Sequence, residues 1–572
     1  MSSYPHPDSS PILSQFNYLP LDSEGWSILT PSADSRLIYV DEIAGNNATA
    51  VNYTPATLPN ANDWEDPGAV LAYQDFVTAA SNRREGYPDW VLCKRGGTFT
   101  FGGKINLPGG RSVTERSVLT AYGSGTVRPS FNPSAGDSLI RIWGDGCFNQ
   151  VIKGIEIYPT WCDPSHGDWN ELTGFIDRPD GISIYNGPDG GSGLLIEDNY
   201  IAHCKHNIRA FADDIAGNHS HTDLIIRRNH IEYSKGQGII SNSSSLLIEE
   251  NTFYHNGWWD QVGTGDVEGQ ATIFDHSIYL PHSNNVLIRN NVTVDPSSIH
   301  IKLTSNTTVT DTINVEEVII HDNFFIGGEI AQSLGGNDDQ NDGPRWRNMR
   351  STWNCMTELG IQRPTLRRLG WGIDAQDWEG GLVGGNIFHR YGDVEVTQAT
   401  AIGIFGHSSS VDVTSNTIYK IGSPTGTNQN SYQALGTVKH EGEMTNVLFS
   451  KNLVQLPDTD LMPIGQHEAL TGVTFMDNKY HSNEVTSNWF EYDGVSMDLA
   501  TWQANTGDTS TATQVTFIDE ARTYLTYLTS IGATSTRQNF IDLMRNRGSG
   551  VWDAQLEARY INAHIRAGLT PV

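Results

Sequence analysis

The sequence predicts an all-β chain that winds into an elongated repeat structure closed by a cap at each end. Five rows share one pattern, two apolar residues two apart and then an Asn three residues later: LLIEDNYI, DLIIRRNHI, SLLIEENTF, NVLIRNNVT and EVIIHDNFF. A second short strand lies between rows, as in GISIY, NIRAF, GIISN, SIYLP and SIHIK. The chain has 572 residues, more than one compact core holds, and a repeat structure avoids that limit by growing in one dimension.

Composition and charge narrow the classes of function. Hydrophobic residues make up 37% of the chain and there are 57 glycines, which suits a turn-rich β protein better than a helical one. Asp and Glu number 66 against 36 Lys and Arg, a formal net charge of −30, so we expect no nucleic-acid partner. The acid surplus favours solubility, above all in a salty medium that screens repulsion.

Membrane, export, disulfide and metal signals are weak in this sequence. No apolar run reaches about 18 residues, so we expect no membrane span. The first residues, MSSYPHPDSSPILSQF, do not have the pattern of a secretory signal. Five widely spaced cysteines argue against a dense disulfide framework and leave one or two bridges open. His203, His206, His219 and His221 form a cluster whose spacing matches no zinc motif, so we predict no metal site.

The N-terminal region, residues 1–94, is expected to contain loops, one strand and a capping helix. LIYVDEIAG is typical of a strand, and residues 68–86 have helical spacing of apolar residues up to Gly86. Two β runs broken by Gly-Gly follow, in DWVLCKRGGTFTFGGKINLP. A cap is needed here because the first coil would otherwise leave its core open.

Residues 95–497 are predicted to form the coils. The Asn residues that close the apolar pairs are Asn199, Asn229, Asn251, Asn291, Asn323, Asn386, Asn416, Asn452 and Asn478. The shortest step, from 229 to 251, is 22 residues, so longer steps contain insertions. We expect each Asn to occupy a left-handed turn and to hydrogen-bond the Asn of the next coil. Two insertions, 256–274 and 333–380, are long enough to serve function and to wall a groove.

These rows resemble the right-handed parallel β-helix family, which includes pectate-lyase-like and alginate-lyase-like polysaccharide enzymes, epimerases and phage tailspike depolymerases. The segment KRGGTFTFGGKI also resembles the opening coil of such proteins. The resemblance implies an extracellular or virion-associated protein that acts on a polysaccharide. Some lyases of this fold use Ca²⁺, which loop aspartates can ligate, but no signature fixes such a site. Viral spikes of this kind trimerise; the oligomeric state stays open.

Residues 498–572 are predicted to be a helical C-terminal region. FIDEARTYLTYLTSIG, TRQNFIDLMRNRGSGVW and AQLEARYINAHIRAGL have helical periodicity. We interpret this region as a cap or a small packing domain. A binding or assembly tail is the alternative.

The second strands are aligned by their first inward Ile, and alternation then fixes which side chains face outward. This alignment predicts that Tyr279 and His300 are direct neighbours, with Lys302 beside them. The aligned residues are Ile182, Ile208, Ile239, Ile278, Ile299 and Ile330.

The outward side chains predict a face that binds an anionic sugar chain and transfers protons. Elimination from a uronate needs a cation beside the carboxylate, a base for the α proton and an acid for the leaving oxygen. Arg209 and Lys302 suit the first role, and His276 or His300 suits the second. Tyr279 suits the third role, or both proton transfers. His276 is expected one turn from Tyr279, at the edge of the same face. Arg209 is expected two coils, or about 10 Å, from Tyr279.

The segments DHSIYL and SIHIKL also resemble a motif of bacterial β-helix sugar enzymes. Arg is commoner there at the position of Lys302, which puts a bidentate carboxylate contact in doubt. We predict substrate contacts from His282, His206, Asn242, Trp258 and Trp259, the tryptophans as sugar-stacking platforms. Each of these residues, taken alone, also fits an ordinary solvated surface or loop packing.

Three other functions remain open beside a polysaccharide lyase. A glycoside hydrolase needs two carboxylates, about 5–5.5 Å apart for retention or about 6.5–9.5 Å for inversion. None of the candidates falls in the middle of the outward rows: Asp180, Asp213, Asp214, Asp260, Asp266, Glu268 and Asp275. An epimerase shares the proton abstraction, and a non-catalytic adhesin or virion fibre would only bind glycan.

Overall fold

Three parallel sheets, named sheets I, II and III in the order in which each coil enters them, run through the computed structural model. The structure describes residues 11–135, 138–143, 148–169, 178–185, 191–211, 221–257, 271–304, 315–336, 346–362, 365, 367–392, 396–423, 433–438, 444–468 and 471–572. Each strand pairs with the equivalent strand of the next coil, and connections between parallel strands are right-handed. The fold is a right-handed parallel β-helix, which confirms the predicted class.

Within the described residues, sheet I has 15 strands and sheets II and III have 14 each. Sheet I comprises Leu37–Val40, Trp90–Lys94, Ser117–Tyr122, Phe148–Lys153, Ser192–Glu197, Thr222–Arg227, Leu246–Glu249, Val286–Arg289, Val315–Glu316, Val318–His321, Trp346–Thr352, Trp378–Gly384, Ser409–Thr414, Val447–Ser450 and Val473–Met476. Sheet II comprises Thr98–Gly102, Ser130–Ala135, Glu156–Ile157, Tyr200–Ala202, His230–Glu232, Thr252–Tyr254, Val292–Val294, Phe324–Ile326, Cys355–Thr357, Ile387–Tyr391, Thr417–Ile421, Leu453–Leu456, Lys479–Ser482 and Thr511–Ala512. Sheet III comprises Ile105–Asn106, Ser138–Trp143, Asp180–Tyr185, Ile208–Ala210, Ile239–Ser241, His276–Pro281, Ile299–Thr304, Ile330–Gly335, Leu369–Gln376, Gln398–Phe405, Gln433–Val438, Met462–Gln466, Phe490–Tyr492 and Val495–Met497.

The corner between sheets I and II is a turn of two residues in eleven successive described coils, and the last ten of these corners share one pattern. Its first residue has a left-handed φ, for example 60° at Asp198 and 53° at Arg228. Its second residue is Asn: the backbone N–H and Nδ2 of Asn199 both donate to Oδ1 of Asn229 at 3.0 Å. The same two bonds recur down to Asn478, which donates to Ser510 instead. The predicted ladder is confirmed, but the left-handed residue precedes the Asn.

Short helices close both ends of the coils. Helix α1, Phe76–Ala80, presents Phe76 to Phe131 of the first coils with ring centroids 4.8 Å apart. It is shorter than the helix expected over 68–86, because Asp75 caps it by accepting from the N–H of Thr78. Helix α2, Leu499–Thr506, packs Trp502 against Phe475 at 4.9 Å and so covers the last coils.

Three further helices lie along the outer face of sheet II: α3 (Tyr524–Ser530), α4 (Arg537–Arg545) and α5 (Ala558–Gly568). Their buried residues share one apolar cluster with outward residues of sheet II such as Val292 and Phe324. Arg545 donates two hydrogen bonds, of 2.8 and 2.7 Å, to the buried carboxylate of Glu232. The C-terminal region therefore both caps the last coils and packs along their side.

The N-terminal segment covers part of the outer face of sheet I in a similar way. Phe16 packs with outward residues of that sheet such as Leu195 and Ile225. Asn17 donates to both carboxylate oxygens of Asp223, at 2.9 and 2.7 Å. Much of the outer surface of sheets I and II is thus covered by the chain's own ends.

Residues 333–380 do not form an inserted loop. They contain the strands Trp346–Thr352, Cys355–Thr357 and Leu369–Gln376, one in each sheet, which together form a coil. Its corner is Trp353 and Asn354, and Asn354 joins the ladder. The expectation was wrong because Met349 and Ser351 replace the usual Ile and Leu. Most of the other insertion, 256–274, lies outside the described residues.

Two further findings concern cysteines and membrane spans. Cys93, Cys162, Cys204 and Cys355 are free thiols, all buried. In the described part of the chain, no helix is long and apolar enough to cross a membrane.

Candidate functional site

One row of outward side chains runs along sheet III through residues paired coil by coil. Tyr279 lies directly opposite Lys302, and Ile240 separates Tyr279 from Arg209. The predicted register of Arg209 is therefore confirmed, two coils or about 10 Å from Tyr279. The central part of the row reads Arg141, Ser183, Arg209, Ile240, Tyr279, Lys302, Ser333, Asp374 and Gly403.

His300 is not on this face, and its predicted contact with Tyr279 is wrong. Its imidazole is fully buried, with Nδ1 hydrogen-bonded to the Thr293 hydroxyl and Nε2 2.8 Å from the carbonyl of Gly327. Its ring also meets Phe325 of the core at 5.3 Å. Burial lowers the pKa of His300 to about 3. The structure thus gives this side chain an interior packing role.

A corner at the start of the strand explains the error. Ile301 pairs with Ile278 and faces the core, whereas Ile299 pairs with His276 and joins a separate apolar cluster with Ile330. Both His300 and Ile301 consequently face inward, which simple alternation does not allow. The alignment had used Ile299 as the inward residue, two positions too early.

His276 lies at the edge of the face and touches Tyr279. Their ring centroids are 5.6 Å apart in an edge-on arrangement. The imidazole is 4% exposed, and its Nδ1 has no hydrogen-bond partner among the described residues. Burial, and then the charges of Lys302 and Arg367, lower the pKa of His276 to about 3. Burial also raises the pKa of Tyr279, so the phenol stays protonated at neutral pH.

A chain of polar contacts holds His276 in place along this edge. The backbone N–H of His276 donates to Oε1 of Gln237 at 2.6 Å, and that of Gln237 donates to Nδ1 of His206 at 3.1 Å. The N–H of His206 in turn reaches Asp180 at 3.3 Å. His206 is thus hydrogen-bonded into the edge, and burial, then Lys205 and Arg209, lower its pKa to about 3.

Two groups beside this face were missed by the sequence reasoning. Lys302 donates to the Ser333 hydroxyl at 2.9 Å, which donates to Oδ2 of Asp374 at 3.1 Å. Arg367 binds the buried carboxylate of Glu329 through two nitrogens. Both Asp374 and Arg367 belong to the coil that was taken for a loop, so no alignment placed them on sheet III.

The remaining predicted contact residues lie around this centre. Asn242 follows the strand of Ile240 and is buried, with its N–H donating to Ala210 at 3.1 Å. His282 begins the turn after Pro281 with a φ of 58° and donates its N–H to Thr304. Trp258 and Trp259 lie outside the described residues.

The described residues contain no group of three or more His, Cys, Asp or Glu side chains arranged to hold a metal ion.

Asp275, next to His276, is a carboxyl group beside this face whose pKa is clearly shifted. It accepts a hydrogen bond from Gln237 at 3.2 Å, and burial raises its pKa to about 6. The face therefore combines cations, a neutral imidazole, a protonated phenol and two carboxyl groups, Asp275 and Asp374.

Comparison with known proteins agrees with the fold. Residues 168–338 match the family model described as a right handed beta helix region. No curated protein sequence matches the chain.

Solved structures with a similar fold include a phage tailspike, a polysaccharide lyase and an epimerase module. The tailspike of Escherichia coli bacteriophage HK620, solved with a pentasaccharide, is 11% identical over 88% of this chain and 81% of that chain, with a TM-score of 0.46. A mannuronic acid specific polysaccharide family 6 lyase from human gut microbiota is 15% identical over 82% and 95%, with a TM-score of 0.40. The A-module of the Azotobacter vinelandii mannuronan C-5 epimerase is 10% identical over 77% and 92%, with a TM-score of 0.39. At such identities no activity transfers to this chain.

Proposed function

We propose that this protein depolymerises an acidic, uronate-containing polysaccharide that lies along the outer face of sheet III, and that it does so by β-elimination. The observation that carries the proposal is the pairing of Tyr279 with Lys302 on adjacent strands, with the ring of His276 5.6 Å from that of Tyr279. One cation, one base and one acid are the groups that this reaction needs.

Lys302 neutralises the uronate carboxylate, which acidifies the α proton. His276 takes that proton, and the electrons of the C–H bond form a double bond to the neighbouring carbon. The glycosidic C–O bond then breaks, and the leaving oxygen takes the phenolic proton of Tyr279. Arg209, two coils away, binds a carboxylate further along the chain.

The pKa shifts suit these roles once the substrate is bound. With a pKa of about 3, His276 is neutral at pH 7 and has room for a proton, although it is a weak base. A substrate carboxylate beside Lys302 would offset the cationic charge, the second cause of the shift after burial, and so raise the pKa of His276. Tyr279 keeps its proton until the leaving oxygen develops negative charge.

A glycoside hydrolase is the second candidate, and two observations favour it. Burial raises the pKa of Asp275 to about 6, a value that suits a general acid. Asp374 lies in the outward row next to Ser333, where the sequence alignment had no carboxylate. An epimerase would use the same proton abstraction without bond cleavage, and a glycan-binding virion or adhesin protein would use the face without chemistry.

One assay separates these reactions. The protein is incubated with a panel of marine and bacterial exopolysaccharides, and both ultraviolet absorbance and new reducing ends are followed. Elimination gives an absorbing unsaturated uronate with each new end, whereas hydrolysis gives ends without absorbance. Loss of activity in Asp374→Asn and Asp275→Asn, with His276→Ala unaffected, would replace elimination by hydrolysis. Neither signal over the whole panel would favour binding alone.

The proposed substrate implies an extracellular or virion-associated protein whose partner is an anionic polysaccharide. Trimeric assembly, as in viral spikes, and a Ca²⁺ requirement remain hypotheses that gel filtration and chelation assays test.

A further inference from the structure

A cavity of about 360 Å³ lies on the outer side of sheet I, well separated in the fold from the outer face of sheet III. Its volume is in the range of small-molecule sites. Its wall brings together the N-terminal segment, the loop of Trp64 and Glu65, the strands around Thr120 and Lys153, and Ser549 near the C-terminus. Such a convergence of distant segments makes a defined recess.

Hydrogen bonds fix the walls of this cavity. Lys153 donates to the carbonyl of Ser27 at 2.7 Å, and the N–H of Ser27 donates to Glu197 at 3.1 Å. On the other side, Asp198 accepts from the N–H of Ser549 at 3.0 Å and from Arg128 at 2.6 Å. The cavity is therefore pre-formed, and Lys153 and Asp198 already have partners.

Four polar groups on the wall have no such partner. The guanidinium of Arg95, the carboxylate of Glu65, the hydroxyl of Thr120 and the indole N–H of Trp64 make no hydrogen bond or ion pair with any described residue. Thr120 is 4% exposed, Arg95 and Trp64 are half-buried, and Glu65 is exposed at the mouth of the cavity. A buried hydroxyl is normally paired, so the unpaired hydroxyl of Thr120, on the same wall as the unpaired guanidinium of Arg95, points to a ligand.

The types of these groups define the ligand. An arginine fork matches a carboxylate, and a carboxylate and a hydroxyl match sugar hydroxyls. The indole of Trp64, held edge-on against Trp90 at 5.1 Å, offers an aromatic surface for a sugar ring. We propose that this cavity is a second, non-catalytic carbohydrate site that binds one or two units of an acidic sugar. That the sugar is a fragment of the substrate rests on the proposed function.

Calorimetric titration of the full chain with cellobiouronic acid and with neutral cellobiose tests this site. The protein used carries Lys302→Ala, so that the face of sheet III contributes little binding. We expect the acidic disaccharide to bind at least about tenfold more tightly than cellobiose, as one charge-assisted pair provides. We expect Arg95→Gln to remove that preference and Trp64→Ala to weaken both sugars. Lys104→Gln, which removes an exposed charge at the same end of the molecule, should change nothing.

The outcomes separate this site from the proposed function. Equal affinity for both disaccharides, equal binding of inorganic phosphate, or unchanged binding in Arg95→Gln would overturn the acidic-sugar site. With Lys302 intact, Arg95→Gln should also keep its cleavage rate within about twofold of the wild type. If no polysaccharide is cleaved but cellobiouronic acid still binds through Arg95, the second site stands and the proposed reaction fails.

Discussion

Charged groups are buried and paired on the outer face of sheet II but partly exposed on the outer face of sheet III. On sheet II, helices α3 to α5 bury the surface, and the charges there are paired: Arg545 with Glu232, and Arg537 with Asp295 at 2.7 Å. On sheet III, Tyr279, Lys302 and Asp374 keep part of their surface exposed. The same coils thus use charge to fasten their own chain on one side and, in the proposed function, to bind the substrate on the other. Substitutions on the first face should change stability, and substitutions on the second should change activity.

The largest expected effect is on stability, from Arg545→Ala. Burial opposes ionisation of Glu232, but His230 and Arg545 outweigh it and lower the pKa of this carboxyl to about 2. Removing Arg545 leaves a buried charge short of a partner, which costs about 3 kcal/mol or more. Thermal unfolding measures this loss, while cleavage at 20–25 °C should persist. Arg522→Ala, at an exposed pair with Asp519, should cost less than about 1 kcal/mol.

The next effect is on activity, from His276→Ala, Tyr279→Phe and Lys302→Ala. Each should lower kcat/KM by about a hundredfold or more, the usual contribution of an acid or base, with little change in unfolding temperature. Lys479→Ala, an exposed lysine on sheet II, is the control and should retain full activity. Full activity in all three variants would show that the chemistry lies elsewhere.

A smaller loss of stability is expected at the Asn ladder in the corner between sheets I and II. Asn291→Ala removes the amide that accepts from Asn251 and donates to Asn323 and to the carbonyl of Ile248. Asn251 donates to Oδ1 of Asn291. The groups that lose their partners in the variant are buried, so the substitution should lower the free energy of unfolding by about 1–3 kcal/mol. Denaturant unfolding measures it. Asn505→Ala, at an exposed position on helix α2, should leave the free energy of unfolding almost unchanged. Equal losses in the two variants would contradict the stabilising role of the ladder.

The last effect is negligible at neutral pH and grows only on acidification: it is a pH dependence of stability from the buried histidines. The pKa of His300 is about 3 in the folded chain and about 6.5 when unfolded. The unfolded state therefore binds more protons below pH 6.5, and stability falls as pH drops from there toward 3, by up to about 1.4 kcal/mol per pH unit. Unfolding temperatures at pH 7, 6, 5 and 4 measure this slope. His300→Gln should make the slope shallower by the contribution of one histidine, and a slope identical to wild type would contradict the assignment.

The sequence predicted the coils well because the coil is a local pattern. An apolar pair and an Asn three residues later recur at most of the corners where a strand of sheet I turns into sheet II, so most rows are recognisable one by one. The helices of the C-terminal region follow from the same kind of periodicity. Their position along sheet II did not, because packing between distant segments leaves no local signature.

The candidate site was predicted only in part, and for a geometric reason. Register between strands depends on where each strand bends, and nothing in SSIHIK marks that Ile299 faces out while His300 faces in. Relative to the predicted alignment, the strand is shifted by two residues, so Lys302 rather than His300 lies opposite Tyr279. Asp374 and Arg367 were missed because their coil lacks the usual aliphatic pair. Side-chain type alone therefore indicates which residues belong to the face, but not which of them lie next to one another.

The two-residue corner between sheets I and II has a consequence for how such a protein diversifies. Because that corner keeps one length in eleven described coils, longer connections in those coils fall at the two edges of sheet III. Loops can therefore be exchanged, lengthened or shortened beside the proposed substrate face without moving the Asn ladder that holds the coils in register. The fold can thus stay the same while the loops at the edges of sheet III change. Grafting these loops between related chains is the direct way to alter the proposed substrate specificity.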